Sequence, residues 1–336
     1  MRLLPFGGSR LGLDPGASTV RVFLDGHGPV LEEPAVIARR LGGAVVAAGA
    51  EAARYLGRTP DGLEAVHPLE AGLMADYEAA RALFRELFRR AAAGPGLHRP
   101  RVAVCTPPGA TPVECRALGE TLQEAGARRV RFLPGLLAAA VGAGFSLESG
   151  RPRLLLDLGY GASRAAVVEG PGIRTVESAP GGREMDLALG RWILEAHGLR
   201  VGPASLEHAK RRLGTARPPG GAEPRADVAG SRPGGFPTTV TLSGADVRAC
   251  LAPLLARVAE AVTAAAAALE PGPRAVAGAA GLTLVGEGAR LPGLCDYLRE
   301  ATGFLAEVAD EPERAAARGA AEALRQRRLR PLLRKA

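Results

Sequence analysis

One pattern, a strand that ends in aspartate and continues into a glycine turn and a second strand, occurs twice in this chain. The first copy spans residues 11–26 and the second spans residues 154–170. With Asp14 aligned to Asp157, the ends of the second strands match only after a one-residue slip. Amides of such a turn donate hydrogen bonds to phosphate oxygens, and the carboxylate orients a cation or its waters. One copy alone would indicate a hairpin with a stray acid, but two predict two similar domains that face one nucleotide across a cleft.

Length and composition agree with two domains. The chain has 336 residues, of which 47% are hydrophobic, so each half has enough apolar material for a core. The formal charge of +8 comes almost entirely from arginine. Gly, Ala and Pro are abundant as well, so the excess of arginine looks like a codon bias of the gene. The positive charge alone therefore gives little support for nucleic-acid binding. Four cysteines without metal-ligand spacing, no apolar run of membrane-spanning length and no signal peptide predict a reduced cytoplasmic protein.

Strands and helices alternate along the chain, which predicts an α/β fold. A Thr-Pro-Val-Glu sequence from Thr111 is a typical helix start, and Ser205 and Ser243 are the predicted caps of two further helices. Glycines at 181 and 182 precede another helix, whose free amides make a second candidate phosphate or ribose site. Residues 217–237 are rich in Pro and Gly, which favours a mobile loop.

Several motifs in this order resemble those of bacterial actins of the MreB family, within the superfamily of actin, heat-shock chaperone ATPases and sugar kinases. The most specific are the stretches at 56–60, 67–78, 107–114, 138–144, 181–186 and 307–312. The resemblance implies an actin-like α/β fold of two duplicated domains around a nucleotide cleft. Domain I would cover 1–145 with a small subdomain at about 33–100. Domain II would cover 146–336 with a small subdomain at about 183–250 and a basic C-terminal tail.

The same resemblance implies a binding site for ATP and Mg²⁺. Asp14 and Asp157 would face the metal through its waters. The residues expected around the nucleotide are Gly16, Ala17, Ser18 and Thr19 in the first turn, Gly159, Tyr160, Gly161 and Ala162 in the second, then Gly181, Gly182, Glu184, Asp186, Glu207, Lys210, Gly286, Gly288, Ala289, Arg290 and Leu291. A charged pair three residues apart on a helix is also typical of a solvated face, so both interpretations of Glu207 and Lys210 stay open.

The chain departs from the family pattern at the position expected to carry the catalytic glutamate. There the family typically has Glu-Glu-Pro-Met, whereas this chain has Gly135 in place of the glutamate that positions the attacking water. Tyr160 replaces a glycine, so its backbone would need a positive φ or its side chain must turn away. Ala162 replaces a threonine, Arg164 an acid and Glu287 a glycine. We therefore expect altered nucleotide binding and slow hydrolysis, and the residues leave open whether the protein is an effective ATPase.

The resemblance implies homopolymer filaments that lie on the inner face of the plasma membrane and direct cell-wall elongation together with other elongation proteins. The candidate membrane segments are residues 1–11 and, more strongly, the run of arginines and leucines at 325–335, which would otherwise be a solvated helix end. Two other functions stay open: an ATPase or small-molecule kinase of the same superfamily, and a regulatory paralogue of a conventional family member. A nucleic-acid partner is not expected, because no stacking platform or recognition motif accompanies the charge.

Overall fold

The computed structural model describes residues 9–57, 59–70, 73–92, 99–232 and 234–335. Several predicted features lie wholly or partly outside these residues. They are the N-terminal candidate membrane segment, residue 58 of one family motif, residues 71 and 72 of another, residue 233 of the predicted loop, and the Gly-Pro-Gly sequence at 94–96, which predicts the end of the preceding helix. The chain forms two compact units. Unit 1 comprises Met1–Gly150, Gly170–Ile173 and Glu313–Ala336, and unit 2 comprises Arg151–Glu169 and Arg174–Pro312.

Strands and helices alternate as predicted. The strands are β1 (Arg10–Pro15), β2 (Thr19–Leu24), β3 (Gly28–Pro34), β4 (Ile37–Arg40), β5 (Val45–Ala48), β6 (Leu63–Val66), β7 (Leu69–Glu70), β8 (Leu73–Met74), β9 (Arg101–Thr106), β10 (Arg129–Pro134), β11 (Arg153–Leu158), β12 (Ser163–Glu169), β13 (Gly172–Ala179), β14 (Arg225–Ser231), β15 (Pro237–Ser243), β16 (Leu282–Val285) and β17 (Ala306–Val308). The α-helices are α1 (Ala50–Ala53), α2 (Tyr77–Ala92), α3 (Pro112–Glu124), α4 (Gly135–Gly142), α5 (Gly182–His197), α6 (Pro203–Leu213), α7 (Gly244–Ala267), α8 (Pro271–Ala280), α9 (Leu294–Thr302) and α10 (Ala315–Arg325). Short 3-10 helices cover Glu287–Arg290, Pro312–Arg314 and Arg327–Leu332.

Unit 1 contains a five-stranded sheet in the order β10-β9-β1-β2-β3. β1 pairs antiparallel with β2 and parallel with β9, which in turn pairs parallel with β10. The inward residues of these strands share one hydrophobic core with α2 and α3, including Leu83, Phe84 and Leu122. A smaller sheet of order β5-β4-β6 has its own small core with α1. This small sheet lies within the range predicted for the first subdomain.

Unit 2 repeats the sheet of unit 1 in the order β13-β12-β11-β16-β17. β11 pairs antiparallel with β12 and parallel with β16, as β1 pairs with β2 and β9. The two hairpins also share their register, because Asp14 lies opposite Arg21 and Asp157 lies opposite Arg164. Both turns therefore have the same length, and the paired positions correspond at a constant offset. The one-residue slip concerns the ends of the second strands, where β2 ends at Leu24 and β12 at Glu169.

The hydrophobic core of unit 2 is built mainly around α7. This helix is long and apolar enough to cross a membrane by composition alone, but half of the relevant window is buried inside the protein. Its inward residues, among them Leu251, Leu255 and Val262, pack with β11 and α5 in one cluster. Ser243 caps the helix as predicted, in a reciprocal capping box with Asp246. Helix α7 is therefore the central helix in the core of unit 2.

Two predictions about unit 2 are wrong in detail. Residues 217–237 were expected to form a mobile loop, yet Arg225–Ser231 forms β14 and pairs with β15 along its whole length. Exposed and buried residues alternate along the first part of β14, as in an amphipathic strand. The surrounding Pro and Gly residues made this alternation hard to detect in the sequence. Helix α6 begins earlier than expected, because Gly202 is the N-cap and Pro203 takes the first helical position, so Ser205 lies inside the first turn.

The C-terminal residues belong to unit 1, whereas residues 146–336 were expected to form domain II. Helix α10 packs on α4 and on β1 through small residues. The approach is close enough that a Cβ on Gly12 would collide with the carbonyl of Ala317, and one on Gly319 would collide with the carbonyl of Ala138. The chain then continues into the Arg327–Leu332 3-10 helix and an antiparallel bridge between Phe132 and Arg334. The late segment thus completes the core of unit 1.

Candidate functional site

The first glycine turn lies at the end of β1 in unit 1. Gly16 is necessary there, because a Cβ would meet the carbonyl oxygen of Thr19 at 2.5 Å. The carbonyl of Ser18 accepts a hydrogen bond from Ala35 N–H at 2.7 Å, which ties the turn to the chain after β3. Burial raises the pKa of Asp14 above its ordinary value, and Arg21, directly across the hairpin, partly opposes that effect. The turn therefore presents a carboxylate next to backbone amides.

Gly135 lies at the same edge of that sheet. The parallel strands β1, β9 and β10 all end there, and Pro134 is in register with Thr106. Ligands of open α/β sheets bind at the carboxyl ends of parallel strands. Gly135 opens α4 without a side-chain cap, and a Cβ at this position would lie 3.2 Å from the Thr106 carbonyl oxygen. The position thus offers no side chain that could orient a water molecule.

The second glycine turn connects β11 and β12 in unit 2. A Cβ on Gly159 would lie 2.8 Å from the Ala162 carbonyl oxygen. A Cβ on Gly286 would lie 2.8 Å from Asp157 Oδ1, so the glycine after β16 lets that carboxylate sit against the backbone. Tyr160 needs no unusual backbone, since among the described non-glycine residues only Arg99 and Glu311 have a positive φ. The substitution of a glycine by Tyr160 therefore does not strain the turn.

The start of α5 is hydrogen-bonded to this second turn. Gly182 N–H donates to the Gly159 carbonyl at 3.1 Å, and Arg183 N–H donates to the Tyr160 carbonyl at 2.9 Å. Glu184 accepts a hydrogen bond from Gly181 N–H at 2.9 Å, as an acid at the third helical position does in a capping box. These three amides, the basis of the second candidate phosphate site, already have partners within the protein. The observed role of the Gly-Gly sequence is to allow a close approach, because a Cβ on Gly181 would meet the turn at 2.5 Å.

Lys210 and Asp186 form an ion pair beside the turn. Lys210 Nζ lies 2.8 Å from Asp186 Oδ1, donates to the Gly182 carbonyl at 3.0 Å, and lies 5.7 Å from the centre of the Tyr160 ring. Both side chains are largely buried, with 14% and 7% of their surface exposed. Burial raises the pKa of Asp186, although Lys210 pulls it down. Burial also raises the pKa of Tyr160, with a contribution from Asp186. Lys210 is therefore not part of a solvated face.

Glu207 takes part in a second set of ion pairs. Its carboxylate lies 2.8 Å from the guanidinium of Arg211, one helical turn on, and Arg211 also reaches Glu287 at 2.6 Å. Glu287, which replaces a glycine of the family pattern, therefore has a partner. Through this ion pair, Arg211 connects the turn after β16 to α6. Sequence reasoning missed Arg211; its spacing of four residues from Glu207 was the available signal. Sequence reasoning also missed buried Ser163, whose Oγ donates to the Pro180 carbonyl at 2.8 Å and holds the chain before α5.

The residues after β16 offer backbone rather than side chains. Gly286 has a positive φ of 83°, and residues Glu287–Arg290 form a 3-10 helix. The Ala289 side chain is buried, and Leu291 packs against the core of unit 2, while Arg290 is exposed. Unit 2 therefore brings together the second turn, the start of α5, Lys210, Glu207 and this 3-10 helix. The first-turn residues Asp14, Gly16, Ala17, Ser18 and Thr19, together with Gly135, belong to unit 1.

Each aspartate, taken with the glycine turn of its own unit, suits a hydrated cation. Within the described residues no group of three or more His, Cys, Asp or Glu side chains is placed to enclose a metal. Mg²⁺ commonly keeps several waters and is held by one or two carboxylates together with phosphate oxygens. Each unit has one such carboxylate beside a glycine turn, and an added Cβ on Gly16 or Gly159 would collide with the backbone of that turn. This arrangement fits that mode of binding.

The five-stranded sheet with an aspartate hairpin, present once in each unit, defines an actin-like α/β protein. The structure resembles MreB5 of Spiroplasma citri solved with AMPPNP, with a TM-score of 0.88 at 23% identity over 97% of this chain and 98% of that one. It also resembles the MamK double helical filament, with a TM-score of 0.78 at 19% identity over 94% of this chain and 98% of that one. Both likenesses concern the fold.

The sequence comparisons identify the family. The model for the MreB/Mbl protein family matches residues 8–330, and the chain belongs to that family. It is 33% identical to the cell shape-determining protein MreB of Escherichia coli K12, over 94% of this chain and 92% of that protein. It is 29% identical to the cell shape-determining protein Mbl of Bacillus subtilis 168, over 90% and 91% respectively. The resemblance noted from the motifs is thus confirmed, and the chain is an MreB-like protein of the cell-shape family.

Proposed function

We propose that this protein is a nucleotide-binding cytoskeletal protein whose filaments lie on the inner face of the plasma membrane and govern cell shape and cell-wall elongation. The observation that carries the proposal is the duplication: two hairpins of equal register, each with an aspartate and a glycine turn, in a chain of the MreB/Mbl family. Structurally similar proteins were solved with ADP and with AMPPNP, and MamK as a double helical filament. Self-association with nucleotide is the activity that these likenesses favour.

The proposal assigns ATP and Mg²⁺ to the residues described above. Asp14 and Asp157 would orient waters of the cation, which supplies charge neutralisation at the phosphates when bound. Amides of the two glycine turns would donate to phosphate oxygens. In unit 2, Glu207, Lys210 and the backbone around Gly286 would surround the nucleoside. Since Lys210 already pairs with Asp186, we expect it to shape the pocket wall beside Tyr160 rather than to neutralise a phosphate.

We also propose that hydrolysis is slow. Phosphoryl transfer depends on a group that positions the attacking water, and the loss of such a group commonly costs orders of magnitude in rate. Gly135 has no side chain and begins α4 where that group is expected. This feature supports the second candidate function, a weakly hydrolysing regulatory paralogue that copolymerises with a conventional family member. A small-molecule kinase is the remaining alternative, and it would need a catalytic aspartate and a substrate pocket in addition to the two hairpins.

Sedimentation with and without ATP tests the proposal. The purified protein should pellet in the presence of ATP and Mg²⁺ and stay in solution without nucleotide. Phosphate release should be far slower than from a conventional bacterial actin measured beside it. Labelled-ATP binding should be lost in Asp157→Ala and retained in Asp227→Ala, a matched change of an exposed aspartate on β14. Rapid turnover without any polymer would instead favour the kinase-like alternative.

The domain limits remain part of the proposal. We propose a small subdomain at about 33–100, where the β5-β4-β6 sheet lies, and another at about 183–250, where the β14–β15 hairpin lies. We also propose a cytoplasmic location peripheral to the membrane, which the family supports, with elongation proteins as partners. Fluorescent fusions in cells should give membrane-proximal patches that disperse when Asp157 is replaced by alanine.

A further inference from the structure

The C-terminal segment of unit 1 adds to the edge of the five-stranded sheet. Phe132 and Arg334 exchange both backbone hydrogen bonds, at 3.0 and 2.8 Å, so the segment extends the sheet beyond β10. If the antiparallel register of this single bridge continued by one residue, Lys335 would lie opposite Arg131. Like charges directly opposite each other in a sheet are destabilising. The C-terminal segment and β10 therefore meet at a position where a negatively charged partner would be favourable.

More unpaired cations surround this position. Arg129 is in register with Arg101 of β9, and Arg128 N–H donates to the Pro100 carbonyl at 2.8 Å. We call this group the basic edge; its members are Arg101, Arg128, Arg129, Arg131, Arg334 and Lys335. Among the residues that the structure describes, none of the six forms an ion pair with a carboxylate, and four of them are exposed. By contrast, Arg325 and Arg328 are paired with Asp25 and Glu148.

The leucines of the same segment are not free to insert into a bilayer. Leu329 is 7% exposed, and Leu332 and Leu333 are half-buried against unit 1. The 3-10 helix Arg327–Leu332 packs on α10, which holds the leucines in place. The leucines of the run at 325–335 therefore contribute to the packing of unit 1. Only the charges remain available to a partner.

We propose that the basic edge is an electrostatic docking surface for a bilayer rich in anionic lipid. This inference rests on the proposed function, because it names the surface through which the filament protein would meet the membrane. Six cations on and beside β9 and β10 suit a dense two-dimensional array of lipid phosphates, which attracts each nearby Lys or Arg. Nucleic acid is less favoured, since the one aromatic residue of this edge, Phe132, is buried at 3% exposure and leaves no stacking surface.

Vesicle flotation tests the proposal, because filaments sediment while vesicle-bound protein floats. The full-length protein, kept in ADP, is mixed with vesicles of phosphatidylcholine alone or with added phosphatidylglycerol. It should float only with the anionic vesicles, and less as salt rises. Arg128→Glu/Arg129→Glu and Arg334→Glu/Lys335→Glu should each bind at least about tenfold more weakly. The control Arg191→Glu/Arg257→Glu makes the same net charge change at exposed, unpaired arginines of unit 2 and should bind like the wild type.

Equal weakening in all three variants would overturn the proposal, because net charge rather than this surface would then account for binding. Binding of the wild type to a DNA duplex but not to vesicles would overturn it in favour of nucleic acid. ATP-dependent pelleting of each variant is measured in parallel. If the wild type pelleted normally but did not float with anionic vesicles, the basic edge would be refuted and the filament function would stand. If the wild type floated but did not pellet, the filament function would be refuted and the basic edge would stand.

Discussion

At the scale of single residues, Gly135 has the largest expected effect on activity. The structure leaves room for a side chain here, since a Cβ would need a shift of only a few tenths of an ångström from the Thr106 carbonyl. Gly135→Glu should therefore fold and should raise the rate of phosphate release at least about tenfold, by orienting the attacking water. Gly135→Met, of similar length but without a carboxylate, should not. Phosphate release is followed under polymerising conditions, and a fast wild-type rate would contradict the role assigned to this position.

The Asp186–Lys210 pair makes a second prediction at this scale. Lys210→Met leaves a buried carboxylate without its cation and should lower the free energy of unfolding by about 3 kcal/mol. Adding Asp186→Asn should recover most of that loss. A double-mutant cycle by urea denaturation measures the coupling, and a full additive loss would show that the two side chains do not interact.

The raised pKa of Asp186 also sets the sign of a pH effect. Between its ordinary value of 3.8 and its raised value, the folded protein binds more protons than the unfolded chain. Stability should therefore fall as pH rises through this window. Asp186→Asn should remove that part of the pH dependence, which urea denaturation at a series of pH values would detect.

At the scale of secondary-structure elements, the close packing of α10 against α4 depends on glycine residues. Gly319 faces the carbonyl of Ala138 on α4, and Gly142 faces that of Ala315 on α10, too closely for any Cβ. Gly319→Ala should thus lower stability by about 2 kcal/mol, despite the better helix propensity of alanine. Gly42→Ala, where nothing lies within 4 Å, should have little effect. Urea midpoints of the two variants compare them directly, and a stabilised Gly319→Ala would refute the close packing.

Helix ends also show which local features the sequence can specify. Thr111 and Glu114 form the predicted capping box, with Glu114 N–H donating to Thr111 Oγ1 at 3.2 Å. Both partners lie within one helical turn, so short-range chemistry alone determines this start. The start of α5 is different, because the amides of Gly182 and Arg183 bond to the turn at 159–160, more than twenty residues earlier. Whether these amides are free to bind an anion therefore depends on a turn that is distant in the chain.

At the scale of the whole molecule, the chain order and the folded units do not coincide. Unit 1 needs Glu313–Ala336, since α10 and the segment after it complete its core and extend its sheet. The fragment 1–150 should therefore be poorly folded, whereas the same fragment joined through a Gly/Ser linker to 313–336 should be protected from limited proteolysis. Circular dichroism and proteolysis compare the two. A stable fragment 1–150 would show that α10 is dispensable.

The amino-acid sequence by itself determined the duplicated hairpins, the α/β alternation and the membership of the MreB/Mbl family. These features depend on residue type and local spacing, such as leucine runs that end in Asp14 and Asp157 beside glycines. Only the tertiary structure decided that both hairpins have one register, that the amides before α5 are already bonded, that Lys210 is buried against Asp186, and that the tail leucines are packed. Each of these depends on contacts between residues far apart in the chain, which no local pattern encodes.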